Sequence, residues 1–542
     1  MTRREAVASA LLVFAVALVV RIAFASQIVF PKPEDTAYYV GVARNLIEGR
    51  GLVTDALWSY QTPPLVFPHP AFEVWLPLPT FLAAIPMAIF GTTFQAAQVS
   101  SVLVGAVVPV LAWRLTADVA MERGLSPDRA RSLALGAGLT SAVYLPLLLN
   151  SALPDSTMPF AIVVLGACLL ITRIVRDPRG ARPTDPRLLG LGVLLGVGAL
   201  TRNETAWLAL LWAATAWFGT SAPRAVRVRL VAVVAVVALL VFAPWAYRNI
   251  VAFGSPLPGQ AINNAFYLSG FDIFAWHDPP TLPRYLALGP ARLIEMRFEG
   301  LSHNLFNVLF YLGLPLSLLG LLGLPWQGWA RALRPLVLFS LVVFLFISLI
   351  FPAATQWGTF LHAAAPVHVL LVISGLLVLD AGIAALGRRL GWTKPIAWLG
   401  PAFGTFTSAL FSIVLLGSFG AGSRTTATLY QELATRMAAS GHPLDASAGP
   451  VITNFPIWMA ETRRIPSLAL PDEPPADVLS LANYFANTHL LVLIEPEGKH
   501  WPADLDSGAP GSECFRPLDL GRWSGQGPDP LRDTTAFEIV CQ

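Results

Sequence analysis

Charged side chains are scarce: Asp, Glu, Lys and Arg make up 13% of the 542 residues, where a soluble domain carries about a quarter. With 55% of positions hydrophobic and a mean hydropathy of +0.61, this shortage excludes an ordinary soluble protein and indicates a polytopic membrane protein. The formal net charge of +3 is no more than cytoplasmic loops supply, and no nucleic-acid signature is present. Internal repeats and low-complexity tracts are absent. Cysteine is rarer still, with three residues. Cys168 lies in an apolar run, whereas Cys514 and Cys541 fall in a polar C-terminal region. An oxidising compartment would permit those two to bridge; two unpaired thiols is the alternative.

The first apolar span, 6–28, follows Arg3 and Arg4, which favours a cytoplasmic N-terminus and an outside exit. Ala23-Phe24-Ala25 also has the small-residue spacing of a signal-peptide cleavage site, but the next loop is outside either way. Segments 94–115, 132–149, 157–174, 188–200, 205–218, 230–247, 301–324, 336–351, 360–386 and 396–419 are apolar enough to cross a bilayer. With the first, about eleven crossings are expected. Segment 72–90 carries Glu73, Pro77, Pro79 and Pro86 and reads as a helix lying in the outer interface. The inside loops then collect Arg123, Arg129 and Arg131; Arg176, Arg179, Arg182 and Arg187; Arg224, Arg227 and Arg229; Arg331 and Arg334; and Arg388, Arg389 and Lys394. Letting 72–90 cross would turn all of these outward, against the positive-inside rule. The odd number of crossings places residues 421–542 outside as a small α/β domain. Its strands are expected at 451–453, 465–470, 490–495 and 537–541 and a helix at 476–485.

The stretch 33–51, PEDTAYYVGVARNLIEGRG, sets Glu34 and Asp35 after two prolines, an expected extended entry. Tyr38, Val42 and Leu46 with Tyr39, Ala43 and Ile47 then recur at helical spacing, opposite Arg44, Asn45 and Glu48, as in a helix lying on a surface. Gly49 and Gly51 end it. Other polar residues fall on the same outer face: His69, Asp155 in NSALPDST, Arg202 and Glu204 in LTRNET, Arg248 with Asn249, His303 and His362. Ionisable groups at membrane depth are expensive unless they serve a function, although a solvated loop position is the plain alternative for each. Arg21, near the exit of the first span, either snorkels to the surface or holds an anionic headgroup. The loop 248–300 is too long for a connection and is expected to form a functional segment over the site.

These elements, EDTAYYVGVARNLIEGRG after the first helix, HPAFEVWLPL before the second, LPDST, ALTRNE between two short helices and PWAYRNIVAFGSPLP, together resemble the GT-C glycosyltransferases. These are polytopic enzymes that use polyprenyl-phosphate sugars, of the protein O-mannosyltransferase and lipid A aminoarabinose transferase type. The resemblance covers about the first four hundred residues and implies a mainly α transmembrane catalytic domain over 1–420, with juxtamembrane helices in the first outer loop. It places the family's first-loop acid on Glu34 and Asp35 and its second acid on Asp155. Arg202 matches a basic residue after the LT dipeptide, and Arg248 the RN after PW. The family's HPP motif is partly kept: Ala71 replaces the second proline, and Glu73 stands near a lysine of some relatives.

For such a transfer Asp35 is the expected general base, with Glu34 the substitute, taking the proton of an acceptor hydroxyl. Arg202 and Arg248 are expected to meet the leaving phosphate, with Arg21 a third. Asp155 would orient the acceptor, position an arginine or share a metal. Tyr38, Tyr39, His69, Glu204, His303 and His362 complete the expected substrate-binding set. No cofactor is fixed by the sequence; carboxylates and water suit magnesium or manganese, and no spacing is diagnostic. The implied partners are a polyprenyl-phosphate-sugar donor, a glycan, lipid or protein acceptor, and the lipids of a plasma (inner) membrane crossed many times. The rival classes are a transporter or flippase, which the clustering of charge at one face disfavours, and a binding or assembly protein with an inactive core.

Overall fold

The computed structural model describes residues 3–177, 182–258, 263–392, 396–523 and 525–541; Arg179 and Lys394, counted above among the inside cations, lie outside these. The helical body comprises α1 (Arg3–Ala25), α2 (Glu34–Ile47), α3 (Leu78–Phe90), α4 (Phe94–Glu122), α5 (Pro127–Val143), α6 (Leu145–Ser151), α7 (Thr157–Arg176), α8 (Pro186–Ala199), α9 (Thr205–Phe218) and α10 (Arg224–Phe253). It continues with α11 (Gly289–Ser302), α12 (Leu316–Gln327), α13 (Arg334–Ile350), α14 (Thr359–Ala363), α15 (Ala365–Arg389) and α16 (Leu399–Ala439).

Among the described residues six helices, α1, α4, α7, α10, α15 and α16, are long and apolar enough to cross a membrane. Two bent pairs, α5 with α6 at 54° and 289–313 with α12 at 118°, raise the number to eight. Four shorter apolar helices, α3, α8, α9 and α13, fall outside this count. Of these, α8, α9 and α13 have 14, 14 and 17 residues, about 21 to 26 Å at helical rise against a hydrocarbon core of about 30 Å. Segment 72–90 forms only the 13-residue α3.

The α5/α6 break has a local cause. Pro146 has no N–H to give the carbonyl four residues back, that of Ala142, and Tyr144 turns extended (φ −75, ψ 122). The freed carbonyls are taken from outside, Ala142 by Arg21 at 3.1 Å and Val143 by Ser412 at 2.6 Å.

The C-terminal region folds as expected into alternating strands and helices. Its strands are β4 (Val451–Thr453), β5 (Ser467–Ala469), β6 (Leu490–Ile494), β7 (Phe515–Pro517) and β8 (Thr534–Ile539), with α17 (Pro456–Arg463) and α18 (Pro475–Tyr484) between. Two features differ from a separate domain. The first loop contributes β1 (Val53–Thr54), β2 (Ala56–Leu57) and β3 (His69–Pro70), and β2 is the edge strand of a six-stranded sheet ordered β2-β5-β4-β6-β8-β7. The 41-residue α16 also runs unbroken across residue 420. A single apolar cluster therefore joins Tyr38, Trp58 and Phe72 of the first loop to Leu433, Ile457 and Leu468. Cys514 and Cys541 are bridged, tying β7 to the end of β8, and Cys168 is a buried free thiol.

Candidate active site

The helix α2 starts at Glu34, directly after Pro33, so the two acids stand in its first turn rather than in an extended lead-in; anions are favoured there by the helix dipole. Neighbouring residues on a helix leave about 100° apart, and the two carboxylates go to different neighbours. Asp35 Oδ2 lies 3.3 Å from His362 Nε2, and His362 Nδ1 lies 3.5 Å from Asp155 Oδ2 and 3.1 Å from Thr157 Oγ1. One imidazole thus bridges two carboxylates from distant parts of the chain. Asp155 is locked at the start of α7 by accepting the Thr157 N–H at 2.8 Å. His362 sits on α14, whose preceding Gly358 has φ 110, a backbone angle that a side chain would strain.

Access separates the three groups: 28% of the Asp35 side chain is exposed, against 9% for His362 and 1% for Asp155. Asp35 is the most exposed of the three. Burial raises its pKa above the ordinary carboxylate range; the His362 and Arg202 charges pull it back, and Asp155 adds to the rise. For His362 burial disfavours the cation, but the nearby Asp155 and Asp35 carboxylates outweigh it, and the net direction is upward.

Arg202, in the α8–α9 turn, completes this group. It donates to Ser156 Oγ (3.0 Å) and Thr359 O (3.1 Å) and in bidentate fashion to Glu204 (2.7 and 3.1 Å). Its charge is therefore already compensated, and Glu204 holds it.

The remaining expected site residues divide. Tyr39 faces Asp35, Asp155 and Arg202. Tyr38 turns away and accepts the Phe72 N–H at 2.6 Å, beside a second group in which buried His69 pairs with Glu73 at 3.1 Å and Glu73 Oε1 has no hydrogen-bond partner among the described residues. Arg248 stands near Tyr38, its guanidinium 5.0 and 5.3 Å from the rings of Trp245 and Phe253. It donates to Leu52 O and Asn249 Oδ1, and among the described residues no carboxylate pairs with it.

Three candidates join neither group. His303 meets Asn307 at 3.1 Å on a π-helical stretch. Arg21 is wholly buried, clamping Ser151 at 2.9 Å and the broken α5 end. It neither snorkels nor faces a headgroup. The Glu34 carboxylate accepts the Ile457 and Trp458 N–H groups at 3.0 and 3.3 Å. The polar face of α2 is likewise covered in part: Arg44 pairs with Glu461 of α17 and is buried, as is Asn45, while Glu48 stays exposed. The expectation of a solvent-facing stripe fails because periodicity marks a polar face without saying what covers it. The sequence included His362 for substrate alone, Ser156 and Thr157 only as letters of the LPDST motif without a role, and Trp458 not at all, since its partners Pro31 and Glu34 lie more than 400 residues away. Among the described residues no three of His, Cys, Asp and Glu are arranged to hold a metal ion; the His362 imidazole itself stands between the two carboxylates.

No family model and no curated protein sequence matches the chain. Solved structures do. The oligosaccharyltransferase AglB from Archaeoglobus fulgidus, in complex with an inhibitory peptide and a dolichol-phosphate, aligns at a TM-score of 0.55 and 14% identity over 91% of this chain and 69% of its own. The same organism's enzyme tethered to an acceptor peptide aligns at 0.58 and 15% identity with equal coverage. ArnT from Cupriavidus metallidurans bound to undecaprenyl phosphate aligns at 0.58 and 13% identity over 98% of both chains. The chain thus shares its overall fold with these structures.

Proposed function

We propose that this protein is an integral membrane glycosyltransferase that moves a hexosyl or pentosyl group from a polyprenyl-phosphate donor to an acceptor hydroxyl on the extracytoplasmic face. The observation that carries the reading is the Asp35–His362–Asp155 relay with Arg202, gathered from four chain segments at the part of the fold where Asp35 alone stays open. The lipid phosphates named in the AglB and ArnT structures agree with such a donor.

In the proposed step the accessible Asp35 carboxylate takes the acceptor O–H proton as the acceptor oxygen bonds to the anomeric carbon. The bond from that carbon to the phosphate oxygen breaks, and polyprenyl phosphate leaves with the electron pair. Partial burial makes Asp35 a stronger base than a solvated aspartate, and the His362 cation keeps it ionised. Arg248, which has no carboxylate of its own, is the better arginine for the leaving phosphate; Arg202 is a positioning residue held by Glu204. No step is routed through a metal. The basic loops support a cytoplasmic N-terminus and an outside C-terminal region of an inner (plasma) membrane protein.

The test is Asp35→Asn in full-length protein. Transfer from a polyprenyl-phosphate-linked sugar is expected to vanish while expression and folding persist; wild-type turnover in this variant would overturn the assignment.

A further inference from the structure

The residue beside the proposed base has the more unusual neighbour. Glu34 reaches across to the first turn of α17, where Ile457 and Trp458 N–H groups have no helical acceptor. That helix follows β4 and precedes β5, and the parallel order β5-β4-β6 places its N-terminus at the carboxyl end of the central strand. In open α/β units this is where anions are held. Here those N–H groups are capped by an oxygen of Glu34 from the same chain.

The same region grips the rest of the lead-in. Ser423 Oγ of α16 accepts the N–H groups of both Val29 and Phe30 at 2.9 Å, and Trp458 Nε1 donates to Pro31 O at 3.0 Å. The Phe30 ring stacks on Tyr430 at 5.6 Å and meets Trp458 edge-on at 5.7 Å. One helical repeat or more downstream, Arg44 pairs with Glu461, so α17 holds α2 at both ends.

We infer that the C-terminal domain positions the active site from behind: by binding Glu34 as an internal ligand of α17 it fixes the first turn of α2 and thereby the direction of Asp35. The inference rests on the catalytic reading of Asp35 for its purpose, but the anchor itself is testable without it. Burial pushes the Glu34 carboxyl up to about 8, with the two backbone hydrogen bonds opposing the rise. A neutral side chain that keeps one acceptor oxygen should therefore serve as well as the acid. Glutamine has that oxygen and alanine does not, whereas a catalytic Glu34 would be disabled by either.

Hydrogen–deuterium exchange of the full-length protein in lipid nanodiscs decides it. In Glu34→Ala, exchange in peptides covering 34–40 and 456–460 is expected to quicken at least tenfold, while α9 and α15 keep wild-type protection. In Glu34→Gln both segments are expected to stay protected. Wild-type exchange of either segment in Glu34→Ala, or equal loosening in both variants, overturns the proposal. Binding of undecaprenyl phosphate to the same wild-type sample is measured alongside. Its absence would count against the donor reading, while the exchange data would still judge the anchor.

Discussion

Replacing His362 by alanine isolates the centre of the relay, because it removes one cation from between two carboxylates and touches neither. At 3.3 and 3.5 Å each contact is worth about 5 kcal/mol gross at an effective dielectric of about 20. Desolvating the imidazolium offsets most of this, and deleting one member of a buried ionic group typically costs about 3 kcal/mol or more. If that cost falls on the state in which Asp35 is ionised, turnover at neutral pH drops by about two orders of magnitude. The sign follows from the charges. The His362 cation and Arg202 hold the Asp35 pKa down against burial, so without the imidazole Asp35 protonates more readily. The acidic limb of kcat/KM for transfer from a polyprenyl-phosphate-linked sugar then moves to higher pH. Adding Asp155→Asn removes the repelling charge and should recover about a tenfold part of the loss, a coupling expected of groups in contact. The assay is a pH profile of the full-length protein in proteoliposomes, for the single and double variants. An acidic limb that stays in place with turnover near wild type, or a double variant whose loss is the product of the two single losses, would refute the bridging role.

Arg248→Ala should weaken binding of undecaprenyl phosphate by about ten- to a hundredfold, the value of a charge-assisted contact of about 1.5 to 3 kcal/mol, measured by titration in detergent; unchanged affinity would remove it from the donor site. The topology predicts that Ser507→Cys is labelled by a membrane-impermeant maleimide from outside intact cells, and labelling only after permeabilisation would reverse the orientation. Because the Glu34 pKa is raised to about 8 from 4.5, its stabilisation is complete below the unfolded value and lost as pH rises through about 8. Thermal unfolding should show that decline between these values in the wild type and a flatter response in Glu34→Gln; identical pH dependence would contradict it.

Much of the architecture is legible in the residue pattern. Most apolar segments recur as helices, 205–218 without change, because a bilayer demands long apolar stretches whatever their neighbours; 132–149 and 301–324 are instead broken, with bends of 54° and 118°. The strands at 451–453 and 490–494 also appear where β-branched runs end in turn residues. The local reading loses the paths of side chains. Arg21 looks like a headgroup ligand from its depth alone, yet it caps the carbonyl that Pro146 leaves bare. Arg44 and Asn45 read as a wet face, but Arg44 pairs with Glu461 of α17 and Asn45 donates to Val53 O. The two-residue strand β2 carries no recognisable strand pattern and exists because β5 offers it an open edge.

Composition and charge placement alone determined that the chain is a many-spanned membrane protein, and the sequence put Asp35, Asp155, Arg202, Glu204 and His362 among its candidate site residues. Only the tertiary structure decided what each does. A helical step turns adjacent side chains toward different surroundings, and those surroundings come from residues hundreds of positions away. Asp35 therefore meets His362, while Glu34, one residue earlier, is bound by the backbone of Ile457 and Trp458.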